Sequence, residues 1–233
     1  FYPGFNSADM ETKASEKSPL LFLGHGSPMN AIEDNEFVRS FMSLGKKLEK
    51  PKAILCISAH WETRGTCVTS AQMPETIHDF GGFPEVLYEI QYPAPGSPEL
   101  ANRVKDLISA TNVGLDERRG LDHGAWSVIK HLYPEADIPL VQLSLDYTQP
   151  AQYHFELGKQ LSKLRDENVL IIGSGNIVHN LRLAAWGKLN EQFAYGWAAD
   201  AGKLINDLII NENYSRLINY HLLGEPVKLA VPT

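Results

Sequence analysis

A continuous apolar run that ends beside a histidine occupies residues 53–61, AILCISAHW. Its first part, residues 53–58, is too short and too uniformly apolar for an amphipathic helix, so it predicts a buried strand. Three further runs of the same kind occur at 20–23, 139–145 and 169–172. The sequence therefore predicts four buried strands.

Segments with helical periodicity lie between these strands. Apolar residues recur at helical spacing over 37–48, after Pro150 and over 197–210. Ser97 followed by Pro98 is typical of a helix start. Strands that alternate with helices predict an α/β fold, a single domain with a largely parallel central sheet flanked by helices. In such a sheet the functional site is expected at the carboxyl edge of the strands.

The length, composition and net charge limit the number of domains and the classes of partner that the chain can have. A chain of 233 residues with 43% hydrophobic content can bury one sizeable core, and we assign residues 19–233 to it. Residues 1–18 are polar, lack the apolar region of a signal peptide and are interpreted as a flexible N-terminal segment. A net charge of -7 disfavours nucleic acid as a partner.

The apolar runs and the cysteines bear on the location of the protein. The longest apolar runs are far shorter than the ~20 residues of a membrane helix, so no membrane span is expected. The chain has only two cysteines, and Cys56 lies inside an apolar run, where a reduced, packed thiol is expected. A reducing, cytoplasmic setting fits this pattern.

Three histidines fall at or just after predicted strands. His25 follows the first strand, His60 the second and His179 the fourth. Because the carboxyl ends of parallel strands share one edge, the three side chains are expected to converge, and neutral imidazole is the commonest metal ligand. A lone histidine after a strand is more often a hydrogen-bonded turn residue, so the metal interpretation depends on all three together.

Two other features are candidates for function. His123 lies in a glycine-bracketed loop, GLDHGAW at 120–126, where a general acid or base and a helix-capping or packing histidine are both plausible. Residues 72–96 form a long stretch rich in proline, glycine and aromatic residues, which is either a functional loop or an ordered packing loop. Arg64, Arg118 and Arg119 are candidates to pair with a substrate carboxylate, and no pattern selects among them.

Seven blocks in order along the chain resemble the 4,5-DOPA extradiol dioxygenases, a branch of the class III or LigB-type ring-opening dioxygenases. The blocks are LFLGHGSP at 21–28, ISAHW at 57–61, TIHDFGGFP at 76–84, YPAPGSPEL at 92–100, GLDHGAW at 120–126, YPEADIPLVQLS at 133–144 and IIGSGNIVHNLR at 171–182. Several blocks in matching order make this resemblance far more specific than any single histidine.

The resemblance implies roles for individual residues. It implies that His25 and His60 bind a metal and that His123 is the acid/base histidine. It leaves His179 as either a third metal ligand or a second acid/base group. The segment around His78, Asp79 and Phe80 is the candidate substrate-binding wall and lid. Family chains continue past the Val-Pro-Thr at 231–233 and supply a further ligand there, so 19–233 is expected to lack its C-terminal end.

The implied activity is the opening of a catechol ring by O2 at a non-haem metal centre. The partners are a small, DOPA-like catechol and O2, the active metal is expected to be Fe(II), and Zn(II) can occupy the same site. Two other classes of function stay open from the residues alone. A zinc-dependent hydrolase also uses three histidines around an open position, and a non-catalytic metal-binding protein could share the fold.

Overall fold

The computed structural model describes residues 17–188 and 193–232, and its six strands form one sheet in the order β1-β6-β2-β5-β3-β4. The strands are β1 (Leu20–Leu23), β2 (Ala53–Thr63), β3 (Cys67–Thr69), β4 (Gly114–Asp116), β5 (Leu140–Asp146) and β6 (Val169–Ser174). Neighbouring pairs are parallel except β3 and β5, which are antiparallel. The predicted α/β fold with a largely parallel central sheet is confirmed.

Seven α-helices accompany the sheet within the described residues. They are α1 (Glu36–Lys47), α2 (Pro98–Leu107), α3 (His123–Leu132), α4 (Ala151–Leu161), α5 (Gly196–Ile210), α6 (Tyr214–Ile218) and α7 (Glu225–Ala230). The predicted start of α2 is confirmed, because the Ser97 hydroxyl accepts a hydrogen bond from the Leu100 amide at 3.0 Å. Short 3-10 helices occupy Pro28–Ala31, Glu85–Leu87, Ser162–Glu167, Leu181–Leu183, Trp186–Lys188 and Tyr220–Leu222.

Both faces of the central strands β2, β5 and β6 are covered, which explains why these strands are continuously apolar. The prediction that residues 20–23 form a buried strand was wrong about burial, because β1 is an edge strand whose Leu20 and Phe22 are exposed. On one face Ile54 and Cys56 of β2 pack in a cluster with residues of α1 and α3. On the other face Ala53 and Leu55 pack with residues of α2 and α4. The alternation of successive side chains between the faces thus divides one strand between two cores. A third cluster joins α5 and α7.

Two strand predictions were wrong at their ends. The second strand was predicted to stop at Ser58, but β2 continues to Thr63 and includes His60. The fourth was predicted to stop at residue 172, but β6 continues to Ser174. Polar residues at the ends of these strands interrupt the apolar pattern, while the backbone pairing continues. The strands β3 and β4 were not predicted, because three residues each are too few to show a periodicity.

The long segment at 72–96 is ordered without regular strands or α-helices. It contains only the 3-10 helix Glu85–Leu87 and an isolated bridge from Thr76 to Leu121. The Ser18 amide donates to the Arg165 carbonyl at 3.0 Å, so the ordered fold includes Ser18. Residues 1–16 of the predicted N-terminal segment lie outside the described residues.

Both cysteines carry free thiols, and Cys56 is buried as predicted. Burial raises the pKa of the Cys56 thiol well above its ordinary value, so the thiol is protonated at neutral pH. Within residues 17–188 and 193–232 no helix has both the length and the apolar character needed to cross a membrane.

Candidate active site

Strand register explains why His25 and His60 meet. The pairing of β1 with β6 ends at Leu23 opposite Ser174, and the pairing of β2 with β6 ends at Ser58 opposite the same Ser174. His25, which follows β1, and His60, which lies in β2, are therefore each two residues beyond the residue that pairs with Ser174. Their Nε2 atoms are 3.1 Å apart.

The His25 ring is held in one tautomer by a buried serine. The Ser174 hydroxyl donates its proton to the Gly124 carbonyl. Since a hydroxyl has a single proton, Ser174 Oγ must accept from His25 Nδ1, which lies 3.0 Å away. His25 Nδ1 is thus protonated, and its Nε2 carries a free lone pair. Burial first, then the neighbouring imidazoles of His60 and His123, lower the pKa of His25 to about 3.

His60 lies where β2 is irregular. The register of β2 against β5 shifts between Ile57 and Glu62, and such a shift turns a side chain away from its regular direction. The His60 backbone is secured there by Arg119, whose guanidinium donates to the His60 carbonyl at 3.3 Å. Burial and then the charge of His123 lower the pKa of His60, so its ring is neutral at neutral pH.

His123 is the first residue of α3, and Asp122 caps that helix by accepting from the Ala125 amide at 3.1 Å. The His123 backbone amide and its Nδ1 both lie 2.9 Å from Oδ1 of Asp79. A carboxylate oxygen only accepts, so His123 Nδ1 is the protonated nitrogen. The His123 ring is 4% exposed, and its centre lies 4.0 Å from that of His60.

Asp79 is a carboxylate between two imidazoles. Burial opposes its ionisation, but hydrogen bonds from the side chain and backbone of His123 outweigh burial and lower the pKa of Asp79 to about 2. Its second oxygen, Oδ2, lies 3.6 Å from Nδ1 of His60. That distance is longer than a hydrogen bond, and because the His60 ring is neutral the contact is not an ion pair.

Asp122 connects β2, which carries His60, to α3, which carries His123, through hydrogen bonds. Its carboxylate is fully buried and accepts from the Ser58 hydroxyl at 2.7 Å and the Gln142 amide at 2.8 Å. With the Ala125 amide and the Arg119 guanidinium, the latter at 3.3 Å, it has four donors. Because Ser58 belongs to β2 and Asp122 starts α3, this network sets the distance between His60 and His123.

Three of the four candidate histidines lie close together, and His179 lies apart from them. Within the described residues, the metal-binding group whose ligand atoms all lie within 4.8 Å of one another consists of His25, His60 and His123. His179 lines the same cavity, but its side chain is exposed, and its backbone amide donates to the Ala230 carbonyl at 2.8 Å.

The histidines open into a cavity of about 770 Å³. The residues that line it include the aromatic side chains of Trp186, Tyr195 and Trp197. Polar groups on the wall include Asn176, whose Oδ1 accepts from the Gly26 amide at 3.0 Å. A concave, mostly apolar site with a few convergent polar groups is typical of small-molecule binding.

The three loop residues proposed to bind substrate have different positions. Phe80 lines the cavity, with its ring centre 5.4 Å from that of His123. Asp79 also lines the cavity, with its oxygens directed at the histidines. His78 is not among the residues that line this cavity; its Nε2 lies 2.9 Å from the Ile90 carbonyl, and its ring packs on Trp126.

Comparison with protein families identifies the family of the chain. Residues 19–215 match the family model described as the catalytic LigB subunit of aromatic ring-opening dioxygenase. The chain belongs to the LigB family. This family membership confirms the resemblance that the seven sequence blocks predicted, and it identifies the chain as an aromatic ring-opening dioxygenase that works at a non-haem metal.

Several curated relatives of the LigB-family chain are named "4,5-DOPA dioxygenase extradiol". A protein of Escherichia coli (strain K12), "4,5-DOPA dioxygenase extradiol", is 52% identical over 193 residues, which is 82% of this chain and 70% of that protein. A Beta vulgaris protein of the same name is 43% identical over 218 residues, 91% of this chain and 80% of that protein. These relatives do not favour the zinc-hydrolase or non-catalytic alternatives.

A solved structure agrees with this assignment. The crystal structure of an uncharacterized protein from Escherichia coli K12 superposes with a TM-score of 0.76 at 42% identity. The match covers 93% of this chain and 84% of that one. The LigB-family fold therefore extends over nearly the whole chain.

The residues that orient the histidines were not predicted from the sequence. Ser174 and Ser58 lie at strand ends and look like ordinary small polar residues. Asp122 carried one available signal, because aspartate directly before a helix is a common N-cap. Arg119, one of three arginines considered for a substrate carboxylate, is instead engaged with Asp122 and His60, and Arg64, Arg118 and Arg119 are not among the residues that line the cavity.

Proposed function

We propose that the chain is an extradiol ring-cleaving dioxygenase that opens the ring of a small, DOPA-like catechol with O2 at a non-haem Fe(II) centre. The observation that carries the proposal is the pair of facing Nε2 atoms of His25 and His60, 3.1 Å apart on the wall of the cavity. The LigB family supports the reaction class. The names of the curated relatives support DOPA-like catechols as the substrate class.

The donors present fit a metal ion. Two imidazole nitrogens that bind the same ion at about 2.0–2.1 Å lie roughly 3 Å apart. The separation of the Nε2 atoms of His25 and His60 matches this distance. His25 already presents a bare lone pair, because its other nitrogen is bonded to Ser174. We propose His25 and His60 as ligands and His179, which lines the same cavity, as the third.

Iron is the metal that the chemistry requires. When bound, Fe(II) offers open positions for the two catechol oxygens and O2 and supplies the electron transfer that zinc lacks. Imidazole binds zinc at least as well as ferrous iron, so zinc can occupy the same site without supporting oxygen chemistry.

His123 is proposed as the acid/base group. Its Nδ1 proton is bonded to Asp79, which leaves Nε2 as the nitrogen that accepts a proton from a catechol hydroxyl and later returns it. The N-terminal position of His123 on α3 and its burial fix the ring, so this nitrogen has a defined direction.

The aromatic walls suit a catechol ring. Phe80, Trp186 and Tyr195 line the cavity and offer flat apolar surfaces against which a planar substrate can pack, and such surfaces limit the access of water. His78 supports Phe80 from behind, with ring centres 5.8 Å apart. The two free thiols fit the cytoplasmic location that we propose for the enzyme.

The decisive experiment exchanges the metal. The protein is stripped with a chelator, reloaded anaerobically with Fe(II) or Zn(II), and mixed with DOPA or a simple catechol while oxygen uptake and ring-opened product are followed. We expect oxygen-dependent ring opening only with iron. Equal ring opening by rigorously iron-free zinc protein would refute the role of iron, and hydrolysis by the zinc form would favour a hydrolase.

A second experiment assigns His179. If His179 is a ligand, His179→Ala lowers the affinity for Zn(II), measured by competition with a chromophoric chelator, together with oxygen uptake. Retained affinity with reduced turnover would instead make His179 a second acid/base group. His221→Ala is the control, because His221 lies in the 3-10 helix Tyr220–Leu222 and is not among the residues that line the cavity.

A further inference from the structure

Asp79 was expected to bind substrate, but its two oxygens face two different histidines. Oδ1 lies 2.9 Å from both the backbone nitrogen and Nδ1 of His123. Oδ2 lies 3.6 Å from Nδ1 of His60. The Asp79 side chain is only 19% exposed, so both interactions are partly shielded from water.

We propose that Asp79 is a positioning residue that holds both His60 and His123 in the Nδ1-protonated tautomer. This inference rests on the proposed metal site. A carboxylate offers acceptors on both sides and no donor, so it favours a proton on each facing Nδ1. The proton is thereby kept off both Nε2 atoms, the nitrogens that face His25 and the cavity.

The amide of asparagine cannot replace this function, although it has the same shape. One orientation places the amide NH2 against the backbone N–H of His123, and two donors then face each other. The other orientation keeps the oxygen on His123 and turns the NH2 toward His60. The second orientation is favoured, because a backbone N–H cannot change its role, whereas an imidazole can change its tautomer.

The consequence falls on His60. A donor facing its Nδ1 favours the tautomer with the proton on Nε2, which lies 3.1 Å from Nε2 of His25. His25 presents a lone pair at that point, so the two rings would form a direct hydrogen bond. That bond would occupy the two nitrogens proposed to bind the metal. The Asp79→Asn substitution would therefore block metal binding by His25 and His60.

The test measures the histidine tautomers directly and does not depend on an assay of enzyme activity. In metal-free protein labelled with ¹⁵N, ring nitrogen shifts at neutral pH distinguish the two tautomers, and single His→Gln variants assign the signals. We expect Nδ1-protonated His60 and His123 in the wild type, and a switch of His60 alone in Asp79→Asn. We also expect the variant to bind Zn(II) about 10–100-fold more weakly, the usual loss when a group that orients a ligand is removed.

Asp146→Asn is the matched control. Like Asp79, Asp146 is an aspartate with one oxygen, Oδ1, that accepts two hydrogen bonds, in this case from the amide and hydroxyl of Thr148 at 3.0 and 2.6 Å. It is not among the residues that line the cavity, so its variant should retain the tautomers and the zinc affinity of the wild type. Circular dichroism verifies that each variant is folded.

Two results would overturn the proposal. One is a wild-type spectrum with His60 protonated on Nε2, a measurement that does not depend on any variant folding. The other is an Asp79→Asn variant with unchanged tautomers and zinc affinity but a raised KM for catechol, which would make Asp79 a substrate contact. Failure of the dioxygenase assignment itself is separate, because it would show as a wild-type, iron-loaded protein that consumes no oxygen with catechols.

Discussion

Gly124 is the residue at which a single methyl group should disturb the site most. It is the second residue of α3, and a Cβ atom added there would lie 2.4 Å from Ser58 Oγ and 2.8 Å from Cδ2 of His60. The Ser58 hydroxyl is bonded to the buried Asp122, which limits its movement. The helix must therefore move away from the sheet, or the His60 ring must be displaced.

The size of the effect follows from these distances. Carbon atoms in contact are about 3.5–4.0 Å apart, so the His60 ring must retreat by roughly 1 Å. A displacement of ~1 Å in a catalytic arrangement costs roughly 10²-fold in rate. Overpacking of this kind also costs about 1–3 kcal/mol in the free energy of unfolding. We expect Gly124→Ala to show both losses and a weaker affinity for zinc.

Gly158→Ala provides the control within the same chain. Gly158 lies inside α4, and nothing lies within 4 Å of a Cβ added there. Because alanine is the better helix former by roughly 0.5–1 kcal/mol, this variant should gain stability and keep its zinc affinity. Urea unfolding, competition with a chelator and oxygen uptake measure the three quantities. Wild-type zinc affinity and turnover in a folded Gly124→Ala protein would refute the argument.

Three further variants separate the roles of single side chains. Ser174→Ala removes the acceptor for His25 Nδ1 and should weaken zinc binding about 10–100-fold in a chelator competition; unchanged binding would mean that the serine does not set the tautomer. His123→Ala should retain zinc but lower kcat for catechol by roughly 10²-fold or more, whereas loss of the metal would place His123 among the ligands. Ser97→Ala removes the cap of α2, so urea unfolding should show a loss of about 1 kcal/mol with unchanged turnover; an unchanged midpoint would contradict the capping assignment.

Local patterns were sufficient for most of the fold. The apolar runs located β1, β2, β5 and β6. For β2, β5 and β6 the reason is burial on both faces, which leaves no polar side to interrupt the run. The Ser-Pro pair located the start of α2 for an equally local reason, since Ser97 caps the helix and Pro98 has no amide hydrogen to satisfy. Two kinds of feature were missed, the three-residue strands β3 and β4 and the exact ends of β2 and β6, since these depend on pairing with a neighbouring strand.

The residue types of the candidate site were also visible in the sequence. Histidines after buried strands predicted a convergence at the carboxyl edge of the sheet, and His25 and His60 do meet there. The sequence could not predict the positions of His123 and His179 in the site. His123 joins the close group through the start of a helix, and His179 lies on the cavity wall with an exposed side chain.

The sequence by itself determined which segments are buried and which residues have the chemistry to bind a metal. Only the tertiary structure decided how those residues are oriented. The bonds that set the tautomers join His25 to Ser174 across 149 residues and His123 to Asp79 across 44. Periodicity reports the burial of each segment separately, whereas these contacts depend on the register between strands and on the angle at which α3 meets the sheet. A hydrogen bond requires its two atoms to be placed to within a few tenths of an ångström, and only the packing of the whole domain supplies that precision.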